Sequence, residues 1–460
     1  MIIRLLNNAF IRHVADESVV WCPRTCGCTV MRDAQPILVE VTRGWRSVDE
    51  VIRVIAAKFE CGAEEVKEGV EAVVGELISQ HFVEVKLTGE TPVVSVADAT
   101  PTGETSVVPV NEQDAREGND SPIDDFCARH GIVQDFHIDL TDACTERCVH
   151  CYVPKGQKDF LPVELVEKAL GEFRAANGLT VHLTGGEAMM HPYFERICRK
   201  CVEQNLNLII FSNMTLCDDK RIAFLKEVDP QFINVSLYSM KPEEHDAITQ
   251  LPGSWQRTMD AILKCCEAGV ACRIATPLLK ENQDALPALR KFADEHRMHL
   301  VPSADIIAQA DHGYGNLAHA CSTEDLRRIM ARDHGLFHKV YDGVMPTCDA
   351  KVCDIGEARL YLNAKGNYYP CDSMHEYVLG NVRENTVEEI WKGKKLNYLR
   401  GLKNRDFGSC ASCEKRPWCK VCPAANFNAT GDLFKHHPNT CALAEVIREV
   451  YGSGRQNLKD

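Results

Sequence analysis

Residues 136–152 read FHIDLTDACTERCVHCY, a predicted β-strand that leads directly into a tight loop with three cysteines. Cys144, Cys148 and Cys151 have the spacing C-x3-C-x2-C. Three thiolates on one loop can ligate three irons of a [4Fe–4S] cube and leave the fourth iron open to a small molecule. The alternatives are a zinc loop, with His150 as the fourth ligand, and a chance pattern.

The strand opens a regular alternation of strands and helices. Six β-α units in sequence favour a parallel sheet, either open or curled into a partial barrel of the (β/α)6 TIM type. In such sheets the chemistry lies at the carboxyl ends of the strands, which is where the three-cysteine loop begins. The predicted strands cover 136–140, 180–183, 208–211, 232–237, 272–276 and 299–301. The predicted helices cover 163–176, 193–204, 220–226, 255–268 and 284–295.

The flanking regions differ from this pattern. Residues 1–87 predict a small, winged-helix-like α+β domain with three short strands (9–13, 18–21, 28–31), three helices (33–42, one opening at Ser47, 63–80) and a closing strand HFVEV. Residues 88–125 lack a helical or alternating period and predict a flexible linker. The remaining boundaries are a barrel over 126–310, a bridging region over 311–344 and a Cys-rich domain over 345–460. This last domain is short in predicted secondary structure and needs metal to hold it together.

Composition narrows the function classes. The chain has 460 residues and a net charge of −14, which argues against general nucleic-acid binding. Its start does not resemble a secretory signal, and it has no long apolar run, so we expect a cytoplasmic protein without a membrane partner. Twenty-three cysteines in so long a chain favour metal ligands in a reducing compartment over disulfides.

A second motif stands in the sequence about 35 residues after the cysteine loop. Thr184-Gly-Gly-Glu187 closes the second predicted strand, and its glycines permit a close approach of other atoms to the backbone. Together, the loop and this segment resemble the radical S-adenosylmethionine (SAM) superfamily. The resemblance implies that SAM binds the open iron and that Glu187 contacts its amino group. The implied cofactor-binding residues are His150, Gly185, Gly186, Glu187, Ser212, Asn213 and Ser236.

The chain departs from the family pattern at one point. Residues 244–248 (EHDAI) and 252–255 (PGSW) match radical SAM relatives that modify peptides, but Thr249 stands where many of these relatives carry arginine. Arg257 would then supply the positive charge that binds the SAM carboxylate, with Arg273 as the alternative.

A second set of cysteines lies near the carboxyl terminus. Its spacing resembles the SPASM domain, a C-terminal extension of radical SAM peptide maturases, except that Cys419 and Cys422 are separated by two residues where the family has three. The resemblance implies two auxiliary [4Fe–4S] clusters, three clusters in total. The inner cluster would be held by Cys348, Cys353, Cys371 and Cys422, and the outer cluster by Cys410, Cys413, Cys419 and Cys441. If Cys348 does not reach the inner cluster, that cluster keeps an open iron that could bind a substrate thiol. A pair of zinc sites is the alternative.

Two further assignments depend on the same resemblance. Asp372 follows Cys371, and in some SPASM relatives an aspartate at this position takes the proton after hydrogen abstraction; the alternative is a carboxylate that caps a turn. The N-terminal domain resembles the precursor-recognition (PqqD-like) element, which binds a leader peptide as an added strand beside an edge strand and against a helix. Cys22, Cys26 and Cys28 are not part of that pattern and are metal or thiol sites, or incidental cysteines.

The predicted function is therefore a radical SAM maturase that binds a ribosomally made precursor peptide and installs a crosslink. Thioether is the first expectation, followed by a carbon–carbon or carbon–oxygen bond. A flavodoxin or ferredoxin supplies the electron. The alternatives are a radical SAM enzyme that acts on a protein residue or a tetrapyrrole, and a non-catalytic metal-binding or electron-transfer protein. Glu187 and its glycine pair argue against the last, because an electron carrier has no use for an amino-acid site.

Overall fold

The structure is a computed structural model that describes residues 1–6, 8–23, 27–86, 122–153, 156, 158–304, 306–309, 313–333, 344–436 and 438–452. These residues form two compact units, and the division falls between Ile132 and Val133. Residues 88–121 of the expected linker and part of the bridging region lie outside the described residues, whereas residues 122–125 are described and belong to a helix.

Within its described residues, the N-terminal unit contains two three-stranded antiparallel sheets, with strand orders β5-β1-β6 and β2-β3-β4, and four helices. Its elements are β1 (Ile2–Leu5), β2 (Phe10–Val14), β3 (Glu17–Cys22), β4 (Gly27–Arg32), α1 (Gln35–Val41), β5 (Arg46–Ser47), α2 (Val48–Lys58), α3 (Ala63–Ser79), β6 (Val83–Lys86) and α4 (Pro122–His130). The three central strands and the first three helices confirm the sequence pattern. Ser47 caps α2 by accepting a hydrogen bond from Glu50 N (3.1 Å), as its motif predicts.

Helix α4, like the strands β1 and β5, is an element of this unit that the sequence pattern did not predict. It packs against β3 and β4, with Phe126 and Cys127 buried. Glu17, at the start of β3, accepts hydrogen bonds from Arg129 and from His130 (2.9 Å). Both ends of the segment 87–121 therefore lie on the same unit. The barrel, which we expected to begin at residue 126, begins only after this helix.

The second unit is built on a nine-stranded sheet in the order β12-β11-β10-β9-β8-β7-β13-β14-β15. The first six barrel strands are parallel to one another, which confirms the predicted partial barrel. They are β7 (Asp135–Thr141), β8 (Thr180–Gly185), β9 (Asn207–Ser212), β10 (Phe232–Ser236), β11 (Cys272–Pro277) and β12 (His299–Ser303). The helices around them are α5 (Val163–Ala175), α6 (Phe194–Glu203), α7 (Asp219–Val228), α8 (Pro242–Thr249), α9 (Ser254–Ala268), α10 (Leu286–Glu295) and α11 (Thr323–Arg332).

Strand β7 divides its side chains between the two faces of the sheet. Phe136 and Ile138 are fully buried in the core beneath the helices. Because successive strand residues alternate, His137 and Asp139 lie on the other face, inside the barrel. The ring of His137 stacks there on His182, with 3.9 Å between the ring centroids.

The C-terminal region extends the barrel sheet. Strand β13 pairs in parallel with β7, and β14 and β15 follow as antiparallel neighbours. The region contains more secondary structure than its sequence predicted. Its elements are β13 (Arg359–Leu362), β14 (Asn367–Tyr369), β15 (Gly380–Asn381), α12 (Val387–Trp391), α13 (Lys394–Arg400), α14 (Pro423–Thr430) and α15 (Pro438–Gly452). Across the described parts of the chain, no helix is both long enough and apolar enough to cross a membrane.

Candidate active site

The three-cysteine loop leaves the carboxyl end of β7 and is held by backbone hydrogen bonds to the end of α8. Arg147 N donates to Thr249 O and Val149 N donates to Ile248 O, both at 2.9 Å. Asn213, after β9, donates from its side-chain amide to Cys144 Sγ (3.6 Å). Thr249, which stands where relatives carry arginine, thus holds the loop through its carbonyl.

Gly185 and Gly186 lie directly beneath this loop. A Cβ on Gly185 would stand 2.3 Å from Thr141 O, and one on Gly186 would stand 2.4 Å from Ala143 O. Gly185 also has φ +123°, a conformation that other residues rarely adopt. In this structure the two glycines allow the end of β8 to pack closely against the backbone of residues 141–143. The resemblance had instead explained them by the close approach of SAM.

Glu187 is buried at the end of β8, and both of its carboxylate oxygens are hydrogen-bonded. Oε1 accepts from Ser212 Oγ (2.9 Å) and from Met189 N (3.0 Å), and Oε2 accepts from Asn213 N (2.8 Å). Burial raises the pKa of Glu187, and these hydrogen bonds oppose the rise. Three of the predicted SAM-contacting residues therefore form one network beside the cysteine loop.

Two thiols of the loop, those of Cys144 and Cys148, are protonated at neutral pH when no metal is bound. Burial raises the pKa of Cys144 to about 12, and burial followed by the charges of Glu146 and Cys151 raises the pKa of Cys148. Iron ligation requires thiolates, so bound iron would have to supply the positive charge that keeps them ionised. Cys144, Cys148 and Cys151 would hold the cluster, and the Glu187 network beside this loop carries other predicted SAM contacts.

Two aromatic residues border the loop. Tyr238 OH lies 3.6 Å from Cys148 Sγ, and Ser236 contacts the same hydroxyl. His150 packs edge-on against Tyr238, with 5.1 Å between the ring centroids, and burial lowers its pKa to about 4. Ser236 and His150 therefore lie at the loop. Their contacts with SAM stay predictions.

The structure separates the two arginines proposed for the SAM carboxylate. Arg257 is exposed on α9, and its charge lowers the pKa of Glu146 within the cysteine loop. Arg273 lies near the start of β11, where its Nε donates to Asn234 Oδ1 (2.9 Å) and its guanidinium stacks on Phe232. Of the two, Arg257 is at the end of the barrel where the cysteine loop lies.

Seven of the eight cysteines in the second set lie in two groups, and Cys348 is not placed with either by any contact among the described residues. Cys410, Cys413, Cys419 and Cys441 line one cavity. Cys353 and Cys371 each have Cys422 among their neighbouring charges, and burial is the main cause of their raised pKa values. Cys348 is exposed, whereas these three thiols are partly buried. The assignment of ligands to two clusters stays a prediction.

Asp372 lies between the inner thiols and the barrel. Its Oδ1 accepts hydrogen bonds from Cys371 Sγ (3.2 Å) and Ser373 Oγ (3.0 Å). Burial raises the pKa of Tyr152, which follows Cys151, and the charges of Asp139 and Asp372 raise it further. Asp372 is therefore near the SAM-cluster loop as well as near Cys371. Its role as proton acceptor stays a prediction.

Four residues of this region were missed by sequence reasoning. Glu146 Oε2 accepts from Cys148 Sγ (3.2 Å), and burial raises its pKa to about 8. Tyr369 OH donates a hydrogen bond to Asp139 Oδ2 (2.8 Å). The ring of His375 packs against that of Tyr369, with 4.7 Å between the centroids. Asp139 could have been found, because it shares the polar face of β7 with Asp135 and His137. The other three carry no pattern of their own.

The cysteines near residue 25 give no indication of a site. Cys22 is buried in the core of the N-terminal unit. Burial raises the pKa of Cys28 to about 12, with a further contribution from Asp124 of α4, so its thiol is a poor nucleophile. Cys26 lies outside the described residues.

Two family models match the chain. The radical SAM superfamily matches residues 138–293, and the iron–sulfur cluster-binding domain named SPASM matches residues 353–423. The first match covers the barrel from β7 to α10, with the cysteine loop and the Glu187 network. The second begins at Cys353 and extends just past Cys422.

Curated relatives and solved structures agree with these matches. An AdoMet-dependent heme synthase from Methanosarcina barkeri is 25% identical over 342 residues, which are 65% of this chain and 94% of the relative. The subtilosin biosynthesis protein AlbA from Bacillus subtilis is 23% identical over 326 residues, or 67% of this chain and 70% of the relative. The crystal structure of Streptococcus suis SuiB bound to the precursor peptide SuiA covers 94% of this chain and 99% of its own, with TM-score 0.60 and 14% identity.

The radical SAM and SPASM domains are thus both present, and the likeness to SuiB shows the fold. These domains indicate an enzyme with radical SAM chemistry, and they support SAM and [4Fe–4S] clusters as its cofactors.

Proposed function

We propose that this radical SAM enzyme of SPASM type matures a ribosomally made peptide, which it recognises through its N-terminal unit and crosslinks by hydrogen abstraction. AlbA is a bacteriocin biosynthesis protein, and SuiB has been crystallised with a precursor peptide. Both relatives support a peptide substrate.

The observation that carries the proposal is the open edge of β4. Within the described residues of its sheet, β4 pairs with β3 alone, so one row of its main-chain N–H and C=O groups is available to a further strand. Helix α3 flanks this strand, because Thr29 Oγ1 of β4 donates to Glu76 Oε1 of α3 (3.1 Å). An extended leader peptide can add to such an edge through main-chain hydrogen bonds and place alternate side chains against the helix.

The partly exposed face of α3 provides the apolar contacts that a leader needs. Val66 and Val73 are half-buried and lie seven residues apart on one helix face, with Glu76 close to the same line. Ala72 is exposed on a different face and serves as a matched control position. Side-chain pockets of this kind give specificity to a strand whose affinity comes from its backbone.

Residues of the barrel would hold the cofactors that abstract hydrogen from the peptide. When bound, the reduced cluster and SAM supply a 5′-deoxyadenosyl radical that takes a hydrogen atom from an unactivated carbon. Cys144, Cys148 and Cys151 would hold that cluster, and Glu187, Ser212, Asn213, Ser236 and Arg257 would hold SAM. Forming a thioether removes two hydrogen atoms from the peptide: one goes to the radical, and the other leaves as a proton and an electron. Asp372 would take this proton, and the two auxiliary cysteine sets would hold clusters able to take the electron.

Tetrapyrrole oxidation is the second candidate, because the heme synthase of Methanosarcina barkeri aligns over almost its whole length. The N-terminal unit favours the peptide. An extended peptide can add to the open edge of this sheet through main-chain hydrogen bonds, whereas a porphyrin has no main chain to pair there.

The experiment uses the iron-loaded full chain, reduced with dithionite in the presence of SAM. Its peptide is the product of a short open reading frame beside the gene. We expect 5′-deoxyadenosine and a peptide that has lost two hydrogen atoms, detected by mass spectrometry. Formation of 5′-deoxyadenosine without a peptide product, together with oxidation of a supplied iron porphyrin, would transfer the assignment to the tetrapyrrole candidate.

Leader binding is tested separately. Val73→Ser should weaken binding of the fluorescently labelled peptide by about tenfold, equivalent to about 1.4 kcal/mol, whereas Ala72→Ser should leave it within about twofold. Equal affinities of the two variants would remove the α3 face from the proposal.

A further inference from the structure

The ring of His375 joins the turn that carries Asp372 to the SAM-cluster loop. It stacks on Tyr152, which follows Cys151, with 4.9 Å between the centroids and 27° between the planes. It also packs against the ring of Tyr369, with 4.7 Å between the centroids. Tyr369 in turn is fixed by its hydrogen bond to Asp139 in the first barrel strand. The ring is thus held by residues from both cluster-bearing segments and from the barrel wall.

His375 also holds the backbone of Asp372. The main chain of Asp372 lies close to the ring and opposes the lowering of the His375 pKa by burial. Nε2 is buried and finds no hydrogen-bond partner among the described residues, so Nδ1 is the nitrogen available to the Asp372 carbonyl. With its proton on Nδ1, the ring can donate to that carbonyl.

The turn is anchored on its other side as well. Met374 N donates to Cys371 O (2.9 Å), which closes the turn, and the side-chain amide of Asn428 in α14 donates to Ser373 O. Asn428 holds the turn to the helix that follows Cys422. His375 is the corresponding contact on the side of Cys151.

We propose that His375 is a positioning residue, whose ring sets the place of the Asp372 carboxylate relative to the SAM-cluster loop. The inference rests on the proposed role of Asp372 as proton acceptor. Proton transfer requires the acceptor within hydrogen-bond reach of the proton, and a displacement of about 1 Å can lower such a step by about a hundredfold. SAM cleavage depends on the thiols of the cysteine loop and on the Glu187 network, whereas His375 reaches the loop through the ring of Tyr152. Loss of His375 should therefore uncouple SAM cleavage from peptide modification.

Three variants separate the two contacts of the ring. His375→Ala removes both the stack and the hydrogen bond. His375→Phe keeps a ring for Tyr152 and Tyr369 but has no donor for the Asp372 carbonyl. His375→Asn keeps a donor near the position of Nδ1 but loses the ring. Glu376→Ala is the matched control, since Glu376 is exposed on the same turn.

The first readout is the amount of crosslinked peptide formed per 5′-deoxyadenosine in the iron-loaded enzyme. We expect His375→Ala to lower this ratio by about tenfold or more, with 5′-deoxyadenosine formation within about twofold of wild type. His375→Asn should recover part of the ratio and His375→Phe less, and Glu376→Ala should match wild type. A wild-type ratio in His375→Ala overturns the proposal. So does an equal loss of 5′-deoxyadenosine in all three variants, which would show general damage.

The second readout does not need the peptide. Hydrogen–deuterium exchange of the amides of residues 371–376 is measured in the iron-loaded enzyme alone. Exchange should be faster in His375→Ala than in wild type and Glu376→Ala, and unchanged exchange overturns the proposal. If wild type makes 5′-deoxyadenosine but no peptide product, the proposed function fails, while this measurement still decides whether His375 holds the turn.

Discussion

Tyr369 donates a hydrogen bond of 2.8 Å to the buried carboxyl of Asp139. The two residues are 230 positions apart in sequence and meet because β13 and β14 extend the barrel sheet beside β7. The segment that carries the auxiliary cysteines is therefore part of the wall of the catalytic barrel. A change at this contact is expected to affect both the barrel and the inner cysteine group.

Asp139 should make the stability of the second unit depend on pH. Burial raises the pKa of Asp139 to about 7, and the hydrogen bond from Tyr369 opposes the rise. Between the ordinary value of 3.8 and about 7, the folded state holds a proton that the unfolded state has lost, so stability falls as pH rises through this window. Asp139→Asn removes this decline, and its stability relative to wild type should rise from about pH 5 to about pH 7 and then level off.

Urea unfolding of both proteins across this range measures the effect. Asp294→Asn is the control, because Asp294 is exposed on α10. Wild-type and Asp139→Asn curves that stay parallel at all pH values would contradict the prediction.

Gly186→Ala should prevent assembly of the SAM-cluster site. Its Cβ would stand 2.4 Å from the carbonyl oxygen of Ala143, so the cysteine loop must move. We expect a loss of about four irons per chain, one [4Fe–4S] cluster, and a loss of 5′-deoxyadenosine formation. Gly75→Ala in α3 is the matched control: it has nothing within 4 Å of its Cβ and should be neutral or stabilising by about 0.5–1 kcal/mol. Normal iron content in Gly186→Ala would show that the loop tolerates the added methyl group.

Helix α4 should be required for the stability of the N-terminal unit. Phe126 is fully buried and Glu17 binds Arg129 and His130, although the sequence assigns this helix to the linker and the barrel. We expect a fragment of residues 1–132 to unfold cooperatively in urea, and a fragment of residues 1–87 to unfold at a lower urea concentration. In the longer fragment, Phe126→Ala should cost about 3–5 kcal/mol. Asp125→Ala, on the exposed side of α4, should change stability by less than about 1 kcal/mol. Equal midpoints for the two fragments would show that α4 contributes nothing.

The cysteines of the second set should differ in their effect on iron content. Cys419→Ala, in the group that lines one cavity, and Cys353→Ala, in the inner trio, should each lower iron by up to about four atoms per chain. Cys348 is exposed and, unlike Cys422, is not among the main groups that raise the pKa of Cys353 or Cys371, so Cys348→Ala should lower iron by less than Cys353→Ala. Iron and zinc are measured by elemental analysis, with Cys61→Ala as the control. Zinc in place of iron would favour the alternative of structural zinc sites.

The sequence predicted most of the barrel because its strands and helices are locally encoded. The six strands of alternating or continuous apolar character are all present, and the three-cysteine loop stands at the carboxyl end of β7 as expected. The described helices that the sequence pattern did not predict are α4, α8 and α11 to α15. The apolar face of α4 is short and becomes interpretable only against β3 and β4, and α15 lies in a cysteine-rich segment without a clear period.

By itself, the sequence determined the residue types and spacings of the site: three thiols on one loop, a glycine pair before a glutamate, and eight thiols near the carboxyl terminus. Those features are local, and local spacing already restricts which metal and cofactor they can hold. Only the tertiary structure decided which distant groups meet. Tyr369 is hydrogen-bonded to Asp139, and the ring of His375 stacks on that of Tyr152. Of the two candidate arginines, Arg257 and not Arg273 lies at the cysteine loop. These contacts depend on strand order and register, which no local pattern encodes, and in the first two of them the residues are more than 200 positions apart.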